Sequence, residues 1–134
     1  MDQENLGRLF IQIDHLLLSW AASQADKPFS MTTFFALDFL ITNGPTSMKT
    51  LADGLDITPA SLTALSQKLE SAGWIERKPN PHDRRGALLL ITPSGRNTLA
   101  ADYQTFQSFF DLHLNPQQQL ELTDLLQKIA AQNK

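Results

Sequence analysis

The chain has 134 residues, 42% of them hydrophobic and 19% charged, which predicts one domain with a buried core rather than a disordered polypeptide. Because the sequence contains no cysteine, disulfide frameworks, thiolate metal sites, cysteine nucleophiles and thiol redox switches are all excluded. Eleven basic and fourteen acidic residues give a net charge of -3, so the chain as a whole is not a polycation.

The sequence gives no indication of a membrane or export segment. Polar residues interrupt every apolar run before it reaches the roughly 18 residues of a membrane span. The N-terminus is acidic and polar, whereas a signal peptide begins with basic residues and continues with apolar ones. We therefore expect a soluble, cytoplasmic protein without a membrane partner.

The first predicted element is a long amphipathic helix. Its apolar residues follow the i, i+3, i+4, i+7 spacing of one helical face: Leu6, Leu9, Phe10, Ile13, Leu16, Leu17, Trp20 and Ala21. Ile11 and Leu18 lie outside this stripe, so a second side of the helix is also expected to be buried. A small domain rarely covers two sides of a terminal helix, whereas a partner chain can do so.

A second helix is predicted after Ser30, a favoured N-cap residue. The run 34–41 is almost entirely apolar and is followed by Asn43-Gly44-Pro45, a sequence that ends helices. A helix that is apolar on all sides belongs in the middle of a core.

Three later helix starts share one local pattern, in which a capping side chain stands directly before a proline. The pairs are Thr58-Pro59, Thr92-Pro93 and Asn115-Pro116. Proline disfavours the helical conformation for the residue before it, and an N-cap residue is itself non-helical. The N–H that proline lacks is not needed at the first helical position. In addition, Asn115 and Gln118 have the spacing of a capping box.

The first of these starts belongs to a predicted helix-turn-helix. A short helix from about Ser47 to Gly54 is followed by a tight turn over 55–57 and by a helix from Thr58 to Gly73. The second helix has an apolar stripe of Leu62, Leu65, Leu69 and Ala72. Its opposite side is small or polar and contains no acid: Ala60, Ser61, Thr63, Ala64, Gln67, Lys68 and Ser71.

The hydrophobic period changes after Gly73. Residues 74–78 and 87–92 are predicted strands, and residues 79–86 are predicted to form a projecting loop that carries Arg84 and Arg85. A hairpin with a basic loop directly after a helix-turn-helix indicates a winged helix. Two amphipathic helices follow, with apolar positions at 99, 103, 106 and 110 and then at 122, 125, 126, 129 and 130.

Charge is concentrated in the middle of the chain. Residues 68–96 contain six basic and three acidic side chains, whereas residues 1–57 contain three and seven, and residues 97–134 contain two and four. A nucleic-acid-binding face on an otherwise acidic body would have this distribution.

Three segments resemble the MarR-type winged helix-turn-helix transcriptional regulators. The segment 51–61, LADGLDITPAS, is similar to that family's helix-turn-helix, and 69–77, LESAGWIER, to its passage from recognition helix to strand. The segment 83–95, DRRGALLLITPSG, resembles the family's wing, in which Asp-x-Arg is followed by a strand, a Leu-Thr pair, two residues and Gly.

The resemblance implies a mainly α fold with a small β-hairpin wing. It implies a winged helix-turn-helix over residues 30–95 of a single domain, 1–134, with dimerisation helices over 1–25 and 97–134. It further implies a homodimeric repressor of a pseudo-palindromic DNA operator. The residues expected at the dimer interface are Leu6, Phe10, Ile11, Phe106, Phe110, Leu122, Leu126 and Ile129.

A small aromatic or lipophilic effector is also implied by the resemblance. The family places its pocket between the dimer helices and the winged helix, where we expect His15, Trp20, Met31 and Phe35. No metal or other cofactor is expected, because the three histidines are scattered along the chain.

The expected DNA-binding residues fall into three groups. Base edges are expected to be contacted by the recognition helix, which carries Thr58, Ala60, Ser61, Thr63, Ala64 and Gln67. Minor-groove contacts are assigned to Arg84 and Arg85, with Asp83 orienting Arg85 or a nearby backbone N–H. Phosphate contacts are assigned to Lys49, Lys68, Arg77, Lys78 and His82, although Arg77 could equally pair with Glu76 or Asp83.

Family members often have a basic residue at the position of Ala64. Because alanine lacks that side chain's donors, we expect DNA recognition to depend more on the wing and on the shape of the DNA. The alternative interpretation is a winged-helix module for protein interaction without specific DNA binding, which the net charge of -3 leaves open. An enzyme is not expected, because no nucleophile, metal or phosphate-loop motif is present.

Overall fold

The computed structural model describes residues 5–24 and 30–132, and these form six helices and three strands. In chain order the elements are α1 (Asn5–Gln24), α2 (Met31–Asn43), β1 (Thr46–Ser47), α3 (Met48–Leu55), α4 (Pro59–Ser71), β2 (Ile75–Asn80), β3 (Asp83–Ile91), α5 (Pro93–His113) and α6 (Pro116–Gln132). The predicted class, mainly helical with a small antiparallel hairpin, is confirmed.

The chain divides into two compact units. The terminal unit comprises Met1–Lys27 and Tyr103–Lys134, and the central unit comprises Pro28–Asp102, so α5 contributes to both. The winged helix predicted over 30–95 lies within the central unit. The ends of the predicted dimerisation segments, at 1–4, 25 and 133–134, lie outside the described residues.

The predicted helix starts are confirmed by their capping bonds. The Ser30 hydroxyl accepts a hydrogen bond from the Thr33 backbone N–H, at 3.3 Å, at the start of α2. At the start of α6, the Asn115 side-chain oxygen accepts from the Gln118 N–H at 2.8 Å, and the Gln118 side chain accepts from the Asn115 N–H at 3.0 Å. This is the reciprocal capping box that the sequence spacing predicts.

The core of the central unit is built from aliphatic side chains of α2, α3, α4, β2, β3 and α5. Its most deeply buried members are Leu37, Leu40, Leu51, Leu62, Leu69, Leu89 and Leu99. The prediction that α2 is buried on all sides is wrong, because Phe35 is 50% and Ile41 is 37% exposed. Within the central unit the core packs against one side of α2, and Phe35 lines an open groove on another.

The sheet has the order β1-β3-β2, and both pairings are antiparallel. The strands extend beyond the predicted ones, to Asn80 in β2 and back to Asp83 in β3, so the expected eight-residue loop is wrong. Only Pro81 and His82 separate the strands, since β pairing continues through a proline-containing and polar segment. The short strand β1 was not predicted, because two residues after Pro45 carry no periodic signal.

The terminal unit buries few of its apolar residues. Ala21 of α1 and Phe109 of α5 are buried, whereas the stripe predicted along α1 is largely exposed. Its most exposed members are Leu6 (76% exposed) and Phe10 (64%), and Ile11, which lies outside the stripe, is 71% exposed. Across residues 5–24 and 30–132, every helix is too short or too polar to traverse a lipid bilayer.

Candidate nucleic-acid interface

A tight turn joins α3 to α4, the helix predicted to contact base edges, and sets its direction. Asp56 adopts the left-handed conformation, with φ 54° and ψ 47°, and the Ile57 N–H donates to the Ala52 carbonyl at 3.1 Å. Aspartate tolerates this conformation better than most residues. The Thr58 side-chain oxygen then accepts from the Ser61 N–H at 3.1 Å, so α4 begins at the predicted residue.

One side of α4 is buried and the other is exposed. Leu62, Ser66 and Leu69 face the core, whereas the predicted base-contacting side is exposed to solvent. The exposed residues are Ala60, Ser61, Thr63, Ala64, Gln67 and Lys68, together with the cap residue Thr58.

Three hydroxyls on this exposed side already have partners within α4 and its N-cap. The Thr63 hydroxyl donates to the Pro59 carbonyl at 2.9 Å, and the Ser61 and Thr58 hydroxyls lie 2.9 Å apart. The Thr63 oxygen can therefore still accept a hydrogen bond from a base amino group, while its own proton is engaged. Lys49, predicted to contact phosphate, is exposed near the N-terminus of α3.

The tip of the wing is held by side-chain bonds to its own backbone. Asp83 accepts from the Arg85 N–H at 3.0 Å, which confirms that it orients a neighbouring backbone N–H, and Asn80 accepts from the His82 N–H at 2.9 Å. Ala87 pairs with Pro79 and Asp83 pairs with Asn80, so the intervening residues of β3 bulge out of the ladder.

The bulge carries both wing arginines. Arg84 and Arg85 are exposed, as is the adjacent His82. Ion pairs within the described part of the chain join Arg77 to Glu70 and Lys78 to Glu76, so neither wing-tip guanidinium is neutralised by a carboxylate there. The wing therefore presents two positive charges on a backbone fixed by Asp83.

Arg77 does not lie free on the surface. Its Nε donates to the Glu70 carboxylate, and a terminal guanidinium nitrogen donates to the Ser66 hydroxyl at 2.8 Å. The partner is therefore Glu70, and not Glu76 or Asp83. Ser66 is not among the residues predicted from the sequence, although a small polar residue between Leu62 and Leu69 on the buried side of the helix indicates a side chain that needs a hydrogen-bond partner.

The four predicted effector residues do not line one common cavity within either unit. Trp20 lines an apolar cavity of about 780 Å³ in the terminal unit, beside Phe109 and Phe110, and its indole N–H points to the Thr105 carbonyl at 3.4 Å. Phe35 lines a groove of about 510 Å³ in the central unit. The remaining two are His15, which is exposed, and Met31, which is half-buried, and neither lines these cavities.

The predicted interface residues of the terminal helices are all at least partly accessible. Most exposed are those of α1 and the end of α6, and the remainder, Phe106, Phe110 and Leu122, are half-buried. A monomer rarely exposes so many large apolar side chains in one region. Among the described residues, no cluster of three histidine, aspartate or glutamate side chains is arranged to hold a metal ion.

Comparison with known proteins identifies relatives over the same region. Residues 29–86 match the MarR family. The multiple antibiotic resistance protein MarR of Salmonella typhimurium is 46% identical over 41 residues, which are 31% of this chain and 28% of that protein. The chain thus spans little more than a quarter of that relative's length in the match.

Longer similarities are weaker in sequence but extend over more of the chain. The uncharacterized HTH-type transcriptional regulator YkoM of Bacillus subtilis is 29% identical over 105 residues, covering 75% of this chain and 67% of YkoM. The crystal structure of wild-type MarR from Escherichia coli, in its apo form, superposes with a TM-score of 0.73 and 26% identity, covering 92% of this chain and 95% of that chain.

Proposed function

The chain belongs to the MarR family, and on this premise we propose that it is a transcriptional regulator that binds double-stranded DNA as a homodimer and represses nearby genes. The observation that carries the proposal lies in the central unit. There an exposed helix face without acidic residues is followed by an exposed wing tip with two guanidinium groups that have no carboxylate partner among the residues that the structure describes. Helix faces of this kind enter the major groove in winged-helix proteins, and arginines suit the minor groove.

In this function α4 lies in the major groove and its N-terminal half reads base edges. The Gln67 side chain pairs with adenine through its amide, and the Ala60 and Ala64 methyls contact thymine methyls. Ser61 and Thr63 accept hydrogen bonds from base amino groups. Because this face has few donors, sequence preference is expected at few base pairs.

The wing and the helix ends supply most of the affinity. Arg84 and Arg85 enter the narrow minor groove of an A·T-rich segment, where the negative potential is strongest. Lys49, Lys68 and His82 approach phosphates, which adds affinity without sequence information. The positive charge of residues 68–96 affects DNA binding more than the net charge of -3 does, because the acidic residues are concentrated in the flanking segments.

The second chain of the homodimer covers the exposed apolar face of the terminal unit. Phe10 is 64% exposed on α1, so its burial against a partner is worth about 2 kcal/mol per side chain. Phe10→Glu should therefore shift the protein from dimer to monomer at equal concentration while the helix content is retained. Sedimentation velocity measures this change, with Gln12→Glu on the same helix as the control; a variant that stays dimeric would contradict this interface.

An aromatic or lipophilic effector releases the DNA. The apolar cavity beside Trp20 is within the size range of small-molecule sites, about 300 to 1,000 Å³. A panel of aromatic acids and lipophilic phenols should contain compounds that both raise the thermal midpoint and lower DNA affinity. A panel in which no compound does both would oppose regulation by this class of ligand.

Selection of bound duplexes from a random library tests the proposed function. The expected product is a pseudo-palindromic site whose half-sites are one helical turn apart. Gln67→Ala should relax the preference at one position of each half-site, whereas Gln104→Ala, a matched change on α5 in the terminal unit, should not. Failure of the wild type to bind any duplex, its own upstream region included, would refute DNA binding and favour a protein-interaction module.

A further inference from the structure

Arg77 connects the wing to the recognition helix through two separate hydrogen bonds. The arginine stands on β2, in register with Leu89 of β3, and both of its partners, Ser66 and Glu70, stand on α4 one helical turn apart. A guanidinium group is planar and donates in a fixed fork, so two bonds to one helix fix its distance and its orientation together.

The helix side of this connection is anchored in the protein interior. Ser66 is completely buried, and its hydroxyl donates to the Thr63 carbonyl at 3.0 Å while it accepts from Arg77 at 2.8 Å. The Arg77 and Glu70 side chains are about one-third exposed, at 37% and 33%. Charge-assisted bonds of this kind are short and directional, and a satisfied network favours one local geometry over others.

We propose that Arg77, Glu70 and Ser66 form a brace that holds α4 and the wing in the relative orientation in which both contact one DNA duplex. The inference rests on the proposed function, and it assigns Arg77 a positioning role in place of the predicted phosphate contact. The Glu70 carboxylate already neutralises the guanidinium, which lowers the electrostatic gain from a DNA phosphate at Arg77.

Each chain makes two linked contacts with DNA, first through α4 and then through the wing, and the brace acts on the wing contact. Once α4 occupies the major groove, the wing arginines bind with an effective concentration that depends on how tightly the wing is held. A loosened wing samples more orientations, so its binding loses entropy even though Arg84 and Arg85 remain present. Loss of the brace should therefore weaken DNA binding without removing any phosphate contact.

Glu70→Gln replaces the charge-assisted bond to Arg77 with at most a weaker neutral one, and so loosens the brace. Positioning by the brace and simple electrostatics then predict opposite changes in DNA affinity. Removal of a negative charge beside DNA should tighten binding on electrostatic grounds alone. A loosened brace should instead weaken binding about tenfold, with the slope of log affinity against log salt unchanged. Glu76→Gln on β2 changes the charge equally and leaves the brace intact, so it should bind at least as tightly as the wild type.

Arg77→Lys and Arg77→Gln complete the series. Lysine retains the charge but not the two-bond fork, so a positioning role predicts weakening by both variants and a salt slope like that of the wild type. A phosphate contact predicts near-normal binding by Arg77→Lys, and for Arg77→Gln a slope reduced by about 0.9 per lost contact. Thermal unfolding of each variant checks that the folded fraction at the assay temperature is unchanged.

A double-mutant cycle distinguishes positioning from general stabilisation. In the Arg84→Ala/Arg85→Ala background the guanidinium contacts that the brace would position are absent, so Glu70→Gln should have little further effect on affinity. A merely structural role predicts the same loss in both backgrounds. Tenfold weakening that persists in the wing-deficient background would overturn the proposal, as would a Glu70→Gln variant that binds like the wild type or more tightly.

Hydrogen exchange of the Arg77 Nε–H, measured by NMR without DNA, gives an independent decision. Exchange should be slower than that of Arg84 in the wild type and should approach that of Arg84 in Glu70→Gln. Equal exchange of the two arginines in the wild type would overturn the brace. If the wild type binds no duplex, the proposed function fails, and this measurement still decides whether Arg77 is held to α4.

Discussion

Gly95, near the start of α5, lies close to Trp74 and to Ile91 at the end of β3. A Cβ atom added to Gly95 would lie 2.2 Å from the Trp74 carbonyl oxygen and 2.8 Å from the Ile91 Cγ1. The Trp74 carbonyl also accepts the Thr92 N–H at 3.0 Å, and the Thr92 hydroxyl accepts the Gly95 N–H at 3.0 Å. Alanine at this position must therefore displace backbone that joins the end of the sheet to α5.

The expected free-energy change for Gly95→Ala combines three terms. Alanine in a helix is favoured over glycine by up to about 1 kcal/mol. The structural shift that makes room for the added methyl group destabilises the fold by about 1 to 3 kcal/mol. A weakened hydrogen bond to the Trp74 carbonyl destabilises it by about 1 kcal/mol more. The free energy of unfolding should fall by about 2 kcal/mol, which corresponds to roughly 8 °C in a chain of this size.

Urea unfolding at fixed protein concentration measures this change, with the midpoint and the slope fitted separately. Gly7→Ala is the matched control, because a Cβ at Gly7 would meet nothing within 4 Å, and a change of at most about 1 kcal/mol towards stability is expected. A Gly95→Ala protein as stable as the wild type, or more stable, would refute the close approach of Gly95 to Trp74.

Two further predictions concern a helix cap and a carboxyl group. Thr58→Ala removes the hydrogen bond to the Ser61 N–H and should lower the free energy of unfolding by about 1 kcal/mol in the same urea assay; an unchanged midpoint would contradict the cap. Burial raises the pKa of Asp102, so its ionised form opposes folding above that pKa and the penalty disappears as the group becomes protonated. Asp102→Asn should raise the thermal midpoint at pH 7 and lose this advantage at low pH. The exposed control Asp124→Asn should not show this pattern, and an equal gain at both pH values would refute the desolvation of Asp102.

The boundaries of the helices could be predicted because capping is a local property. Thr58 before Pro59 and Asn115 before Pro116 carry the signal within two residues, and the structure places both caps there. The wing was less predictable. Its strands continue through Pro79 and polar residues, which have low strand propensity and are held by pairing with the apolar β3.

Some features of the candidate site could likewise be predicted from the sequence and others could not. The exposed face of α4 follows from helical periodicity, and the orienting role of Asp83 follows from its short side chain near Arg85. The partners of Arg77 are 7 and 11 residues away on another element, so no local rule selects Glu70 and Ser66 over Glu76. Gly95 is the last residue of the segment that resembles the family's wing, and the close approach of its backbone to the Trp74 carbonyl is the physical reason for a glycine at this position.

The dependence of DNA affinity on salt, measured for the wild type and the Arg84→Ala/Arg85→Ala variant on the selected duplex, tests most directly whether paired wings bind DNA. The account predicts steep salt dependence for the wild type. In the variant the log–log slope should be smaller by about 0.9 for each phosphate charge left unneutralised, up to four in a two-chain complex. Equal slopes and equal affinities for the two proteins would contradict the assignment of the wing to DNA.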